Sequence, residues 1–210
     1  VVLGAAVGVI GVTFGVLAVA AGLSRWQALA MSCLVFTGAS QLAAVSVIDG
    51  GGSGASAVGS ALLLAARNAI YGPRLASLLR PGRARRLLAS QLVIDESAGM
   101  AAAQSDPSDA EEAFWWTGVS VFVFWNLGTL VGAVAGDALG DPATYGLDAA
   151  FPAAFVALLA PHVRHRPGRV AAVVGSAVAV VCVPLTPAGV PLLAAAGAVV
   201  PAAFVARSTR

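Results

Sequence analysis

The chain has 210 residues, 59% of them hydrophobic and only 10% charged, with a formal net charge of +2. A soluble domain carries roughly 25% charged residues, so this composition, with a mean hydropathy of +0.88, excludes an ordinary water-exposed fold. Lipid is the simple covering, and one membrane-embedded bundle is enough for this length.

A helix needs about 20 apolar residues to cross the hydrocarbon. Seven stretches are expected to do so: Val1–Leu23, Trp26–Ile48, Ala55–Leu79, Ala113–Gly136, Leu147–Val163, Gly168–Leu185 and Ala188–Ala206. Val1–Leu23 reads as a span and not as a cleaved leader, because it is long and lacks a basic start. The breaks carry turn chemistry: Asp49-Gly-Gly-Gly-Ser, the basic Arg80-Pro-Gly-Arg-Ala-Arg-Arg, the acidic Asp106-Pro-Ser-Asp, Gly140-Asp-Pro and Pro184-Leu-Thr-Pro.

Every basic residue is arginine. Arg80, Arg83, Arg85 and Arg86 follow span three, Arg164, Arg166 and Arg169 follow span five, and Arg207 and Arg210 follow span seven. The positive-inside rule puts these ends in the cytoplasm, and Arg25 is expected on the same side. Spans one to three then run opposite to spans four to six, with a seventh span added. The domain plan is a first half (1–79), a cytoplasmic connector (80–112), a second half (113–187) and an extra helix (188–210).

Within the connector, "LLASQLVI" is too short to span and is followed by Asp95-Glu96. It is expected to lie in the interface or to dip in and return, which backbone does only where protein or water covers it. The fold expected is thus an all-α integral membrane protein of about seven helices. Its halves are inverted three-helix repeats with broken middle helices, as in many secondary transporters. The matching breaks expected are Gly38-Ala-Ser-Gln41 in span two and Asp148–Pro152 in span five.

Candidate functional residues come from polarity where lipid-facing helix should be uniform. In "FTGASQLAAV" the small residues permit close helix packing, but Gln41 is an amide that needs a partner in an apolar setting. A helix unwound near Gly38 frees backbone groups for a ligand, with Thr37, Ala39 and Ser40 beside it. In "ARNAIYGPRLASLL", Arg67 lies thirteen residues before Arg80, ~20 Å along a helix. At that depth a guanidinium keeps its charge and must find an anion or water. Asn68 and Tyr71 flank it. The anions on offer are Asp95 or Glu96, Asp148, and a substrate carboxylate; a protein acid is favoured, because the empty protein also needs a partner there. Asp148, Phe151 and Pro152 complete the candidate set.

Other signals are weaker. Cys33 and Cys182 sit in separate apolar runs without metal-ligand spacing. His162-Val-Arg-His165 reads as an anchor at a helix end. Trp26, Trp115 and Trp116 suit the interfacial belt. There is no phosphate-binding glycine motif, and no cofactor or catalytic set is expected.

These elements have a recognisable pattern. "GVTFGVLAVAAGLS", "LVFTGASQLAA", "ARNAIYGPRLASLL", "LVIDESAGMA", "FWNLGTLVGA" and "LDAAFPAAFVALLAP" resemble, in order, the AzlC-type large subunit of the branched-chain amino acid exporters, over about residues 8–165. The family pattern often has Asn two residues before the arginine and His just after it; here Ala65 and Asn68 stand there. The resemblance implies export of leucine, isoleucine, valine and methionine driven by an ion gradient, from a bacterial cytoplasmic membrane. It also implies a small AzlD-type partner subunit. Its implied substrate-binding set is Thr37, Gly38, Ala39, Ser40, Gln41, Asn68, Tyr71, Asp148, Phe151 and Pro152, with Arg67, Asp95 and Glu96 as a coupling set. Export of another small solute, or a scaffold role without transport, are the alternatives the residues leave open.

Overall fold

Two long apolar helices set the frame of the computed structural model: α1 (Val2–Ala20) and α7 (Pro107–Leu139). The model describes residues 1–79, 82–139, 159–208 and scattered positions between 144 and 156. Between α1 and α7 come α2 (Arg25–Leu34), α3 (Gly38–Asp49), α4 (Gly54–Leu78), α5 (Arg83–Gln91) and α6 (Asp95–Ala102). After them come α8 (Arg166–Cys182), α9 (Val190–Ala195) and α10 (Val199–Ser208), the last two joined by a 3₁₀ turn. No strand occurs among the described residues. Among the described residues, three helices are long and apolar enough to cross a membrane: Val2–Ala20, Pro107–Gly136 and Val190–Arg207.

The α1–α7 contact is the most extensive in the molecule, and glycine makes it possible. Gly4, Gly8, Gly11 and Gly15 of α1 lie against Ser120, Phe124, Trp125 and Thr129 of α7. A Cβ at Gly11 would stand 2.7 Å from the Trp125 carbonyl oxygen, closer than real contacts allow. In lipid, where burial of apolar surface brings no gain, such close backbone packing is a main source of association. The paired positions rise together along both helices, so α1 and α7 run parallel. The sequence reading had them antiparallel, as first helices of inverted halves.

The reason lies in span two, which does not cross. Its helix stops at Leu34, Val35–Thr37 form a break, and α3 starts again at Gly38. Gln41 donates from Nε2 to the Met31 carbonyl at 2.8 Å. In a straight helix these residues would be ~15 Å apart, so the chain folds back at the break. The side chain of Met31 accordingly packs against the cluster of Ala44, Val47 and Ala57. α2 and α3 are the two arms of a re-entrant hairpin. α4 then runs back along α3, with Leu75 and Leu78 beside Ala98 and Ala102 of α6, close to where α7 begins.

The connector makes a second hairpin, entering from the opposite end. Arg85 of α5 pairs with Glu111 near the start of α7 at 2.7 Å, and Leu92 packs against Gly118 one stage further in. The chain breaks at Leu92–Ile94, and α6 returns along α7. The inward dip expected for "LLASQLVI" is therefore present, but as half of a hairpin. Residues 2–49 and 54–102 share one element order, a long helix followed by two short helices around a three-residue break, and they enter from opposite ends. This replaces the expected three-helix halves among the described residues, and the break that matches Val35–Thr37 is at Leu92–Ile94. Of the expected counterpart at 148–152, Ala149 and Pro152, both exposed, are the described residues, and the other three lie outside them.

The ends can now be told apart. Arg83, Arg85 and Arg86 lie at the end where α7 begins, called here the basic end. Ala188 and Gly189 contact Gly50, Val47 and Ser56 at the other end, and Gly175 of α8 faces Ala195 and Ala198. α8 and the α9–α10 stretch are therefore antiparallel, which returns Arg166, Arg169 and Arg207 to the basic end. Arg25 follows α1 and sits at the opposite end, a correction to its expected position. Trp116 near the start of α7 and Trp26 near the start of α2 are both exposed, one at each end, as interfacial anchors would be. Outside the apolar frame, Asp106 caps α7. It accepts hydrogen bonds from the Ser108 hydroxyl and from the amides of Ser108 and Asp109, which hold its carboxyl below the usual carboxylate range.

Candidate functional site

Breaking a helix in an apolar interior leaves backbone carbonyls that must find donors. Side chains supply them. Gln41 satisfies Met31, as above. Gln91 Nε2 donates to the Cys33 carbonyl at 2.8 Å, joining the two hairpin tips. Ser97 Oγ donates to the Leu92 carbonyl at 2.6 Å and accepts from the Ile94 amide at 3.2 Å. Asn68 Nδ2, on α4, donates to the Val93 carbonyl at 3.1 Å. On the α7 side, Ser32 Oγ donates to Thr129 Oγ1 at 3.0 Å, and the Cys33 thiol lies 3.0 Å from Asn126 Oδ1. These bonds hold both breaks at the level of Val121 and Trp125, the middle of the apolar part of α7.

A cavity of about 290 Å³ opens at this level between the two tips. Ligand pockets run ~300–1,000 Å³ for drug-sized molecules, so this one suits a small solute. Its floor from the first hairpin is Phe36, Thr37, Gly38, Ala39 and Leu42. From the second come Ile94, Asp95 and Glu96; α4 adds Arg67 and Asn68. The apolar wall is Val7 and Ile10 of α1, Val121 and Trp125 of α7, and Phe155. A Cβ at Gly38 would lie 3.0 Å from the Trp125 ring, so glycine there lets the indole close over the start of α3. Phe14 stacks on Trp125, with ring centroids 5.9 Å apart.

The charged groups form one set. Arg67 Nη2 lies 2.8 Å from Asp95 Oδ2, and the Tyr71 hydroxyl donates to Asp95 Oδ1 at 2.9 Å. Both carboxylate oxygens of Asp95 are thus taken. Glu96 lines the same cavity, and no ion pair to it is found among the described residues. Of the sequence candidates, Thr37, Gly38, Ala39, Asn68, Arg67, Asp95 and Glu96 meet around the cavity. Ser40 and Gln41 are fully buried in the packing of α3 and do not line it. Tyr71 lines a neighbouring cavity at the basic end and touches the site through Asp95. Pro152 does not line it, and Asp148 and Phe151 lie outside the described residues. Sequence reasoning missed Val7, Ile10, Phe36, Leu42, Ile94, Val121, Trp125 and Phe155. Apart from Trp125, with a polar edge to its ring, these carry no polar signal; only the fold brings them together.

Two hairpins that meet tip to tip across a mid-bundle cavity define a helical membrane protein with a space in its interior. The model of the family described as AzlC protein matches residues 2–139, and the chain belongs to this family. Two relatives in Helicobacter pylori, from strains J99 and 26695, are each 25% identical over 177 residues, covering 83% of this chain and 77% of theirs; both are named uncharacterized membrane protein. No solved structure matches. The family and the apolar helices identify a membrane protein, and its membership is consistent with a role in membrane transport. The matched region contains both hairpins and all the charged residues of the cavity.

Proposed function

We propose that this protein is a secondary transporter that exports branched-chain or similar apolar amino acids, such as leucine, isoleucine, valine and methionine. Transport proceeds by alternating access coupled to an ion gradient. The observation that carries this reading is the cavity itself. It lies at mid-bundle, where two re-entrant hairpins from opposite ends meet, and it combines a charged cluster with an aliphatic and aromatic wall. Broken helices at mid-membrane are how transporters present backbone groups to a substrate. Arginines gathered at one end support a cytoplasmic membrane location with that end inside. A small AzlD-type subunit is the proposed partner, and the exposed apolar faces of α8 and α10 offer it a surface.

The test is counterflow of labelled leucine in liposomes, with and without the partner subunit. Exchange that requires internal leucine supports the reading; no exchange under either condition, in protein that is folded by a thermal-shift criterion, rejects it.

A further inference from the structure

The charges around the cavity do not balance. Arg67 is committed to Asp95, and the second oxygen of Asp95 is held by Tyr71. This leaves Glu96 as the acid that faces the cavity without a basic side chain among the described ion pairs. With all three groups ionised, the set carries one net negative charge. The first turn of α6, where Glu96 sits, and the nearby Arg67 offset part of this charge. A carboxylate in an apolar interior is costly, and a cation delivered with the ligand offsets the rest.

The other hairpin offers the opposite polarity. α3 begins at the cavity, and its N-cap residue Thr37 makes no side-chain cap to the helix. The first amides of a helix carry partial positive charge and lack intrahelical acceptors. Trp125, whose side chain lines the same space, is only 4% exposed, and its indole N–H has no hydrogen-bond partner.

We propose that Glu96 receives the ammonium group of the substrate while the start of α3 receives its carboxylate, so that the cavity reads an intact zwitterion across the two hairpin tips. This rests on the amino-acid transport reading above and deepens it. The ligand class is an α-amino acid with a free amine and a free carboxylate, its side chain lying against the aliphatic wall. Because each end of the zwitterion is held by a different hairpin, binding also ties the two tips together.

The experiment compares three probes on the full chain in detergent or nanodiscs: L-leucine, 4-methylpentanoate, which lacks the amine, and 3-methylbutan-1-amine, which lacks the carboxylate. The wild-type protein is expected to bind leucine about tenfold or more tighter than either analogue, as loss of a charge-assisted contact implies. Glu96→Gln should lose most affinity for leucine and the preference for leucine over 4-methylpentanoate. Glu96→Asp should keep that preference in reduced form. A Glu96→Gln protein with the wild-type ratio of the two affinities overturns the proposal while leaving the transport reading standing. If Glu96→Gln does not fold, the wild-type and Glu96→Asp proteins decide: equal binding of leucine and 4-methylpentanoate by wild type, or an unchanged ratio in Glu96→Asp, overturns it. A wild-type protein that binds none of the three rejects the amino-acid reading and this inference together.

Discussion

Gln91 and Cys33, 58 positions apart in the chain, are joined by a 2.8 Å hydrogen bond from the Gln91 amide to the Cys33 carbonyl. Each ends the inward arm of a hairpin, and the hairpins come from opposite ends. The bond therefore ties the two tips together beside the central cavity, whose lining includes neither residue. Hydrogen bonds of this kind within membrane proteins average ~0.6 kcal/mol. Gln91→Leu is expected to lower thermal stability only slightly, and to change exchange rate more than leucine affinity. Paired thermal-shift, binding and counterflow measurements check this; a large affinity loss with unchanged rate would contradict a tip-joining role.

The folded-back course of α2–α3 has a consequence for sidedness. Cysteines placed at Gly22 and at Arg83 should lie on opposite faces of the membrane. In intact cells, and in a background lacking Cys33 and Cys182, an impermeant thiol reagent should label the first and spare the second. Labelling of both from one side would mean that residues 26–48 cross after all.

The sequence already showed where the first hairpin breaks and that Arg67 is deep, because polar residues in an apolar run are conspicuous. It did not show that the chain turns back there. Span two contains more than 20 apolar-run residues, enough to cross, and hydrophobic length does not distinguish a crossing from a return. Nor did it show that a matching break lies at Leu92–Ile94, although Leu34-Val35-Phe36 and Leu92-Val93-Ile94 lie 58 residues apart; the expected break at Asp148–Pro152 falls largely outside the described residues. The parallel pairing of α1 and α7 follows from that missed return. Gly8 and Gly11, which seat the pair against Phe124 and Trp125, name no partner by themselves, because a glycine allows close approach without saying to what.

Gly38 and Gly11 separate binding from folding. A leucine at Gly38 starts against the edge of Trp125 and projects at the cavity, so Gly38→Leu should abolish leucine binding while a folded protein remains. Gly11→Leu meets α7 backbone, which cannot give way as a side chain can, and overpacking costs ~1–3 kcal/mol or more. It should fail in folding. Size-exclusion profiles with binding on the same samples check the contrast; normal transport by Gly38→Leu would remove that end of α3 from the site.

The Arg67–Asp95 pair predicts non-additivity. Both side chains are partly exposed, 36% and 26%, so the pair is worth less than a fully buried one. Arg67→Ala leaves Asp95 and Glu96 unbalanced, and Asp95→Ala leaves the guanidinium with Glu96 as its nearest alternative. The double variant should be less destabilised than the sum of the singles by about 1 kcal/mol. Arg67→Lys should restore charge but not the geometry. Simple additivity in a thermal or denaturant cycle would show that the 2.8 Å contact contributes nothing to stability.

Phe155 and Asp95 occupy corresponding places on either side of the central cavity. Asp95 also lines a cavity of about 310 Å³ at the basic end, with Tyr71 and Arg74. Phe155 also lines one of about 740 Å³ at the opposite end, with Leu64, Thr186 and Leu192. The three spaces thus follow one another through the bundle, divided by an ion pair on one side and by an aromatic ring on the other. Removing the ring should join the central and outer spaces without touching the charged set. Phe155→Ala is therefore expected to raise the rate at which an impermeant thiol reagent, added from the outer side, modifies a cysteine at Ala39, in a background lacking the two native cysteines. Tyr71→Phe, at the other divider, should leave that outer rate unchanged, because it removes only the hydroxyl bound to Asp95. An equal outer rate in Phe155→Ala and its parent would mean that the ring does not separate the two spaces, and that the outer cavity is a surface recess with no part in a pathway.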